Sequence, residues 1–486
     1  MLFKRLYDTR LAQASYLIGS QRAGEAIVVD PNRDIGGYLS AADAEGLRIA
    51  HVVETHIHAD FVSGSRELAR RTGAALHLSS EGGEAWQYGY AAEDGAVLLR
   101  DGDTIQAGDV RLDAVHTPGH TPEHLSFLVT DTTAAADLPL GFLTGDFLFV
   151  SDVGRPDLLE RAAGLAGSAE AGARALFHSI RQLGDLPDHL QVWPGHGAGS
   201  ACGKSLGAMP QTTLGYERLT NWAFAILDEE AFVRAALAGQ PEAPRYFARM
   251  KRINRDGPRS LNGVPEAPRL PSPALPPAID RGALIVDARA AAEFARGHVP
   301  GAVSIPRNAA FTTWAGWLIP DDRDFYLILG RDEVPDAAGV LRDLAMIGLD
   351  RAAGWFGPDA VEGWAATGRA LERVRKIAPD ELLAVTRRPE SGTGGGEVTV
   401  LDVRSRAEWE AGHVPGSLNV PVGELTERAG ELPRDGTLVV HCQGGTRSGI
   451  AAGVLQSFGF RNVTDLASGF TGWQRAGGPV EQDQLP

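Results

Sequence analysis

The sequence predicts a multidomain α/β protein, and three observations carry that prediction. A chain of 486 residues is long enough for about three ordinary domains. Through its first half, short β-branched runs alternate with helix-like stretches, as strand–helix units do. In its second half, VDARAAAEFARGHVPGAVSIP at 286–306 aligns without gaps to LDVRSRAEWEAGHVPGSLNVP at 401–421, matching at 10 of 21 positions at an offset of 115 residues. A period of that size marks two whole domains of about 110 residues, since solenoid units are much shorter.

Composition narrows the classes. With 43% hydrophobic and 22% charged residues, the chain can bury real cores and is not a disordered polymer. A net charge of −16 repels nucleic-acid phosphates and anionic membrane surfaces, so neither is an expected partner. Cys202 and Cys442 are the only cysteines. They exclude a disulfide framework and a four-cysteine zinc site and point to a reducing, cytoplasmic setting in which their role is chemical.

Taken in order, MLFKRLYDTRLAQASYLIG carries Asp8 and Arg10 where a signal peptide needs an unbroken apolar core, and it reads as a first strand. AIVVD (26–30), IAHVVETH (49–56), LSFLV (125–129) and LGFLTGDFLFV (140–150) read as strands, and 156–183 and 214–238 as helical. The apolar run from Leu138 to Val150 is broken by Gly145 and Asp146 and falls short of the roughly 20 residues of a membrane span. From Gly239 to Pro277 the composition turns to Pro, Arg and Gly, a stiff connection. The expected division is therefore a domain over 1–250, a linker over 251–275, and repeat domains over 276–375 and 376–486. RRPESGTGGG, near 387–396, is a flexible joint between the repeats. In each repeat a buried strand (LIVDAR, TVLDVR) leads to a helix start, a His-Val-Pro-Gly turn and a second strand.

The first domain holds a candidate metal centre. In HVVETHIHADFVSG, His56, His58 and Asp60 alternate directly after a β-branched run, and at a strand end such positions project to one side. HTPGHTPEH presents His120 on a turn. FLTGDFLFV carries Asp146, costly to bury without a partner or a metal, and VWPGHG carries His196. In this order THIHAD, TPGHT, TGD and PGHG resemble the metallo-β-lactamase fold, an αββα sandwich, over nearly all of 1–250. In hydrolytic relatives such as glyoxalase II the first motif is THxHxDH, whose last histidine helps hold a second metal ion. Phe61 stands there in this chain, and a phenyl ring cannot ligate.

His56, His120 and Asp146 remain, the donor types of a facial triad for non-haem Fe(II) with open positions for oxygen and substrate. In the persulfide dioxygenase branch of this fold, the residues matching these three are the iron ligands, implying one Fe(II) per chain. Those matching His58 and Asp60 stand behind them, and His196 is grouped with them. GDFLFVSDVGRPDL is similar to that branch too. GAGSACGKS at 197–205 imitates a phosphate-binding loop, but GxxxxGK requires glycine at 198, which is alanine, so ATP is not an expected ligand. Cys202, six residues after His196, either packs as a small hydrophobe or touches and relays substrate sulfur.

In the last domain TLVVHCQGGTRSGIAAGVLQSFGF runs strand, loop, helix. Cys442 ends the strand, Gln443, Gly444, Gly445 and Thr446 form the loop, and Arg447 precedes a helix expected near Ser448. Backbone N–H groups in such a loop, with the helix N-terminus, cradle an anion and favour a thiolate or persulfide. With LDVRSRAEWEAGHVPGSLNVP before it and ASGFTGWQRAG after it, the segment resembles the rhodanese sulfurtransferases over about 110 residues. The resemblance implies that Cys442 carries a sulfane sulfur, that the loop and Arg447 stabilise it, and that Asp402, Arg404, Glu408 and His413 are scaffold. The earlier copy reads GRDEVPDAAG after DFYLIL, placing Gly330 or Arg331 at the cysteine position, and so resembles a non-catalytic module.

The whole order resembles the persulfide dioxygenase-rhodanese fusions of bacterial sulfide detoxification. Their chemistry implies a low-molecular-weight thiol persulfide and O2 as substrates, sulfite as the oxidation product and thiosulfate formed through Cys442. Two other readings stand beside it: a glyoxalase II-like metal-dependent thioesterase with rhodanese appendages, and a sulfur-carrier or sensing protein whose metal domain is structural. The thiol carrier, coenzyme A, glutathione or another, is not legible in the sequence. Relatives of this fold often self-associate, so a homo-oligomer is left open.

Overall fold

The computed structural model describes residues 1–134, 137–158, 160, 167–204, 206–240, 242–386 and 398–482. By contacts the chain forms two compact units, Met1–Pro265 with Arg342–Gly348, and Glu266–Leu341 with Leu349–Pro486.

The first unit contains two six-stranded sheets. In one, β1 (Leu2–Asp8), β2 (Gln13–Ser20), β3 (Glu25–Val29), β4 (Arg48–Val53), β5 (Ala75–Ser79) and β6 (Val97–Leu99) lie side by side in chain order. The other is formed by β7 (Thr104–Ala107), β8 (Val110–His116), β9 (Leu125–Asp131), β10 (Gly141–Gly145), β11 (Gln191–Pro194) and β12 (Thr212–Thr213), again in chain order. Alternation along the strands builds the layers. Ile27, Val29 and Val53 face Leu112, Ala114 and Phe127 in a core between the sheets. Ala26, Val28 and Val52 point the other way, onto Tyr38 and Leu68 of the helices Gly36–Ala44 and Ser65–Thr72. Phe142 and Val192 cover the opposite face with Leu176, Phe177 and Ile180 of helix Ser168–Gln182. The result is an αββα sandwich.

Several elements differ from expectation. The N-terminal stretch is two antiparallel strands rather than one, because Asp8 accepts the backbone N–H groups of Arg10 and Leu11 and turns the chain. The stretch 214–238 is three helices, Leu214–Thr220, Trp222–Ala225 and Glu229–Leu237. Their starts are capped by Thr213, Asn221 and Asp228, short polar side chains that compete with helix continuation. Within the Pro-rich connection lies a helix, Tyr246–Asp256, that buries Tyr246, Phe247, Met250 and Asn254. The joint at 387–396 lies outside the described residues.

The second unit holds two parallel sheets. β13 (Leu284–Asp287), β14 (Val303–Ser304), β15 (Phe325–Ile328) and β16 (Ala352–Phe356) are ordered β14-β13-β15-β16. β17 (Arg375–Ile377), β18 (Val398–Asp402), β19 (Leu418–Asn419), β20 (Thr437–His441) and β21 (Val463–Leu466) are ordered β17-β21-β20-β18-β19. The repeat is visible residue by residue. Asp287 receives Arg289 as Asp402 receives Arg404. Phe294 stacks on His298 as Trp409 stacks on His413, both with centroids 3.7 Å apart. Register corrects one expectation: Asp287 pairs with Ile328 and Asp402 with His441, so the residue matching Cys442 is Leu329, not Gly330 or Arg331. Leu329 is fully buried and offers no nucleophile.

Candidate metal centre and cysteine loop

The first site gathers at the ends of β4, β8, β10 and β11. Just past β4, Thr55 donates its backbone N–H and hydroxyl to Asp30, at 2.7 and 2.8 Å, and its hydroxyl oxygen accepts from His56 Nδ1 at 2.9 Å. That fixes the imidazole tautomer and leaves the Nε2 lone pair facing the site. His120 is set the same way, its Nδ1–H directed to the Arg155 carbonyl at 3.1 Å. It sits on a turn at Gly119, whose φ of +148° and closeness to Leu176 admit no side chain. Asp146 follows β10, with its N–H donated to His124 Nε2. Its Oδ2 lies 3.9 Å from His56 Nε2 and 3.6 Å from His120 Nε2.

These three residues are buried and form one of the three groups of donors able to hold a metal among the described residues. His56 Nε2 and both Asp146 oxygens make no hydrogen bond of ordinary geometry there. Buried acceptors left orphaned in this way fit a cation. Burial, followed by the neighbouring histidines, holds His56 well below the usual imidazole range, and burial lowers His120, so both are neutral and able to ligate.

His58 has turned elsewhere. Its Nε2 lies 3.0 Å from Glu54 and 3.3 Å from Asp30, a separate donor group. Burial disfavours its charge, but Asp30 and Glu54 outweigh burial and raise it well above the usual range. Phe61 packs its ring on His58, centroids 4.4 Å apart. Asp60, His196 and Cys202 converge as a third group, with His196 Nε2 3.3 Å from Asp60 Oδ2 and 3.5 Å from Asp146 Oδ1. Cys202 is a neutral thiol here, pushed well up by burial and then by Asp60 and Asp146.

Some residues holding this site escaped sequence reasoning. Glu123 accepts the Ile57 N–H at 2.8 Å, clamping the segment between the two histidines, and burial lifts its carboxyl to about 7. Asn254, on the helix within the Pro-rich connection, donates to the carbonyls of His58 and Phe61, both at 2.7 Å, and accepts from Ser63 N–H. Glu123 stood in a motif already singled out, HTPGHTPEH; nothing in the local pattern marked Asn254.

In the second unit Cys442 follows β20 and is buried. Its Sγ accepts the Gly445 N–H at 3.1 Å and lies 3.7 Å from the Ser448 hydroxyl, a contact not foreseen. The helix begins at Thr446, two residues before the expected start, so Thr446 and Arg447 belong to its first turn. Arg447 closes on Glu408 at 2.6 and 2.7 Å. Burial would raise Glu408, but Arg447 outweighs it and brings the carboxyl to about 2. Gln443 is held by Arg404 and Thr471. Gly444 has nothing within 4 Å of a virtual Cβ, which leaves room beside the loop.

Among known proteins, the sequence matches the metallo-beta-lactamase superfamily over residues 8–196 and the rhodanese-like domain over 275–351 and 390–476. A crystal structure of a metallo-beta-lactamase from Staphylococcus aureus subsp. aureus COL is 41% identical. It covers 74% of this chain and 99% of its own, with a TM-score of 0.65. The chain belongs to the metallo-beta-lactamase superfamily. It continues beyond that fold into two rhodanese-like domains. Within the superfamily, a probable metallo-hydrolase of Burkholderia pseudomallei (strain 1710b) is 30% identical over 220 residues, 40% of this chain and 72% of that protein. The mitochondrial persulfide dioxygenase ETHE1 of Bos taurus is 28% identical over 201 residues, 40% of this chain and 68% of that protein.

Proposed function

We propose that this superfamily member is a non-haem Fe(II) persulfide dioxygenase coupled to a sulfurtransferase in sulfide detoxification, working in the cytoplasm. The observation that carries the reading is the open His56–His120–Asp146 group beside a position 61 filled by phenylalanine. Similarity to a persulfide dioxygenase supports it, as does the donor set, two imidazoles and a carboxylate. The catalytic work divides between a dioxygenase domain over 1–250 and a sulfurtransferase over 376–486, with a non-catalytic module over 276–375.

Bound Fe(II) supplies the activation of O2 and the oxidation of the substrate's terminal sulfur. The residues that would hold the ion are His56, through Nε2, His120, through Nε2, and Asp146. Thr55 and the Arg155 carbonyl keep both imidazoles in the ligating tautomer. Phe61 and the surrounding buried residues exclude water, and Cys202 stands at the edge of the site as a neutral thiol that touches substrate sulfur. Overall, RSSH, O2 and water give RSH, sulfite and protons. In the sulfurtransferase, the Cys442 thiolate takes the outer sulfur of a second RSSH, whose S–S bond breaks and whose proton leaves with the thiol as RSH, leaving Cys442–S–S⁻ under the Gly445 N–H. Sulfite attacks that outer sulfur, the S–S bond breaks toward Cys442, and thiosulfate leaves.

Anaerobically purified protein is expected to contain about one iron per chain, from the facial-triad count, and to consume O2 with a low-molecular-weight persulfide. Hydrolysis of a glutathione thioester without oxygen uptake would instead establish the glyoxalase II-like reading.

A further inference from the structure

The repeat that offers no nucleophile contributes a segment to the first unit. Arg342–Gly348 stands inside the rhodanese-like match over 275–351, yet by contacts it belongs with Met1–Pro265. It comprises the end of helix Ala337–Met346 and the turn after it. The last carbonyls of a helix find no partner within the helix, and three in succession are met here by other groups of the first unit. Ala345 O accepts from Arg33 Nη1 at 2.9 Å, Met346 O from the Val62 N–H at 2.7 Å and Ile347 O from Arg249 Nη2 at 3.1 Å. Two guanidinium groups at a helix C-terminus also offset its negative end. One turn earlier, Arg342 donates to Asp34 at 2.6 Å and to Asp8 at 2.8 Å, and Arg10 closes on Asp343 at 2.8 Å.

The Val62 bond is the one that bears on the metal centre. Val62 stands in the loop that carries His56 and is fully buried, so without the Met346 carbonyl its N–H would be left unpaired in the interior. On either side of it, Asn254 takes the Phe61 carbonyl and the Ser63 N–H. Gly348 completes the seat. Its φ is +72°, and a Cβ there would stand 3.1 Å from Met250 Cε, 3.3 Å from Ile253 Cδ1 and 3.5 Å from Val62 Cγ2. The turn therefore lies against Val62 and against the helix that carries Asn254. We infer that Arg342–Gly348 is a positioning segment of the metal centre, holding the loop after His56 through the Met346 carbonyl. The role rests on the metal reading of His56, His120 and Asp146 and needs neither O2 nor persulfide. It gives the repeat without a cysteine a task in the first unit.

Hydrogen exchange and anaerobic Co(II) titration of the metal-free full-length chain test the segment. Arg342→Ala removes the ties to Asp8 and Asp34, on a side chain exposed enough for the variant to fold. Gly348→Ala places a Cβ in the left-handed turn. Both are expected to speed exchange at Val62 and Ser63 by about tenfold or more, a local opening, and to leave strand Leu125–Asp131 of the same unit unchanged. Both should also weaken Co(II) binding at His56, His120 and Asp146 by about 10–100-fold, the usual cost of an outer partner. Arg342→Lys, which keeps the charge, should recover part of each loss. Unchanged exchange at Val62 and Ser63 in both variants overturns the role. So does equal acceleration in Leu125–Asp131, which marks general loosening, and so does a loosened loop with unaltered Co(II) affinity, which marks a purely structural tie. Oxygen uptake is not read, so failure of the dioxygenase proposal leaves these outcomes unchanged.

Discussion

His56 and His58 stand two residues apart and meet opposite surroundings. His56 is neutral, backed by a hydroxyl relay to Asp30, with a free lone pair toward Asp146. His58 is held between two carboxylates and favours its proton. An imidazole gripped as a cation orients its neighbours but does not ligate. If the site holds Fe(II) as proposed, His56→Ala, His120→Ala and Asp146→Ala should each abolish iron retention and oxygen uptake. His58→Ala should reduce them by about 10–100-fold, the usual cost of an outer partner. Metal analysis alongside an oxygen electrode distinguishes the two; complete iron loss in His58→Ala would make it a ligand.

At the scale of elements, the helix Tyr246–Asp256 is a brace for the histidine loop. Asn254 is 2% exposed and satisfies two carbonyls and one N–H of that loop. Asn254→Ala would leave those groups unpaired in the interior, at about 1–3 kcal/mol for each one that water cannot reach. A lowered urea midpoint and weakened iron binding are expected, and an unchanged midpoint would remove the bracing role. The second unit offers a pH test in the Arg447–Glu408 pair, which ties the helix Thr446–Ser457 to the helix Arg406–Glu410. Glu408 sits at about 2, below its ordinary 4.5, so the folded state prefers it ionised. Its stabilisation is present above about pH 4.5 and is lost as pH falls toward 2. The group is about one-third exposed, so screening limits the contribution to about 1 kcal/mol. Glu408→Gln should lower the urea midpoint at pH 6, with the difference shrinking below about pH 4.5 and closing only near pH 2.

The same elements show what was legible in the sequence. Strands with strict alternation, such as Glu25–Val29, and the candidate ligands on their ends stand out because period-2 burial and turn chemistry are local signals. The helix at 246–256 lies amid prolines and arginines, and only its packing makes it helical and important, so composition pointed to a connection. Leu329 shows a third kind of limit. The repeats align at an offset of 115 residues near Asp287 and Asp402, but the strands pairing with them, ending at Ile328 and His441, are displaced differently. Only the register identified the residue in the cysteine's place.

For the whole molecule, the two cysteines belong to different compact units, Cys202 to the first and Cys442 to the second. If the units divide the chemistry as proposed, one substitution should separate oxidation from sulfur transfer. Cys442→Ser keeps the loop and its N–H donors but replaces the thiolate with a hydroxyl, a far weaker nucleophile that does not hold sulfane sulfur near neutral pH. The first copy cannot substitute, because Leu329 occupies the matching position. Oxygen uptake with persulfide should therefore remain largely intact while the sulfur product shifts from thiosulfate to sulfite. Cys202→Ser should act on the other half, slowing oxygen uptake itself, because that thiol lies beside Asp60 and Asp146. Following O2, sulfite and thiosulfate together in both variants decides the matter. An unchanged thiosulfate yield in Cys442→Ser would take the rhodanese domain out of the reaction and leave thiosulfate to Cys202 or to direct attack of sulfite on free persulfide.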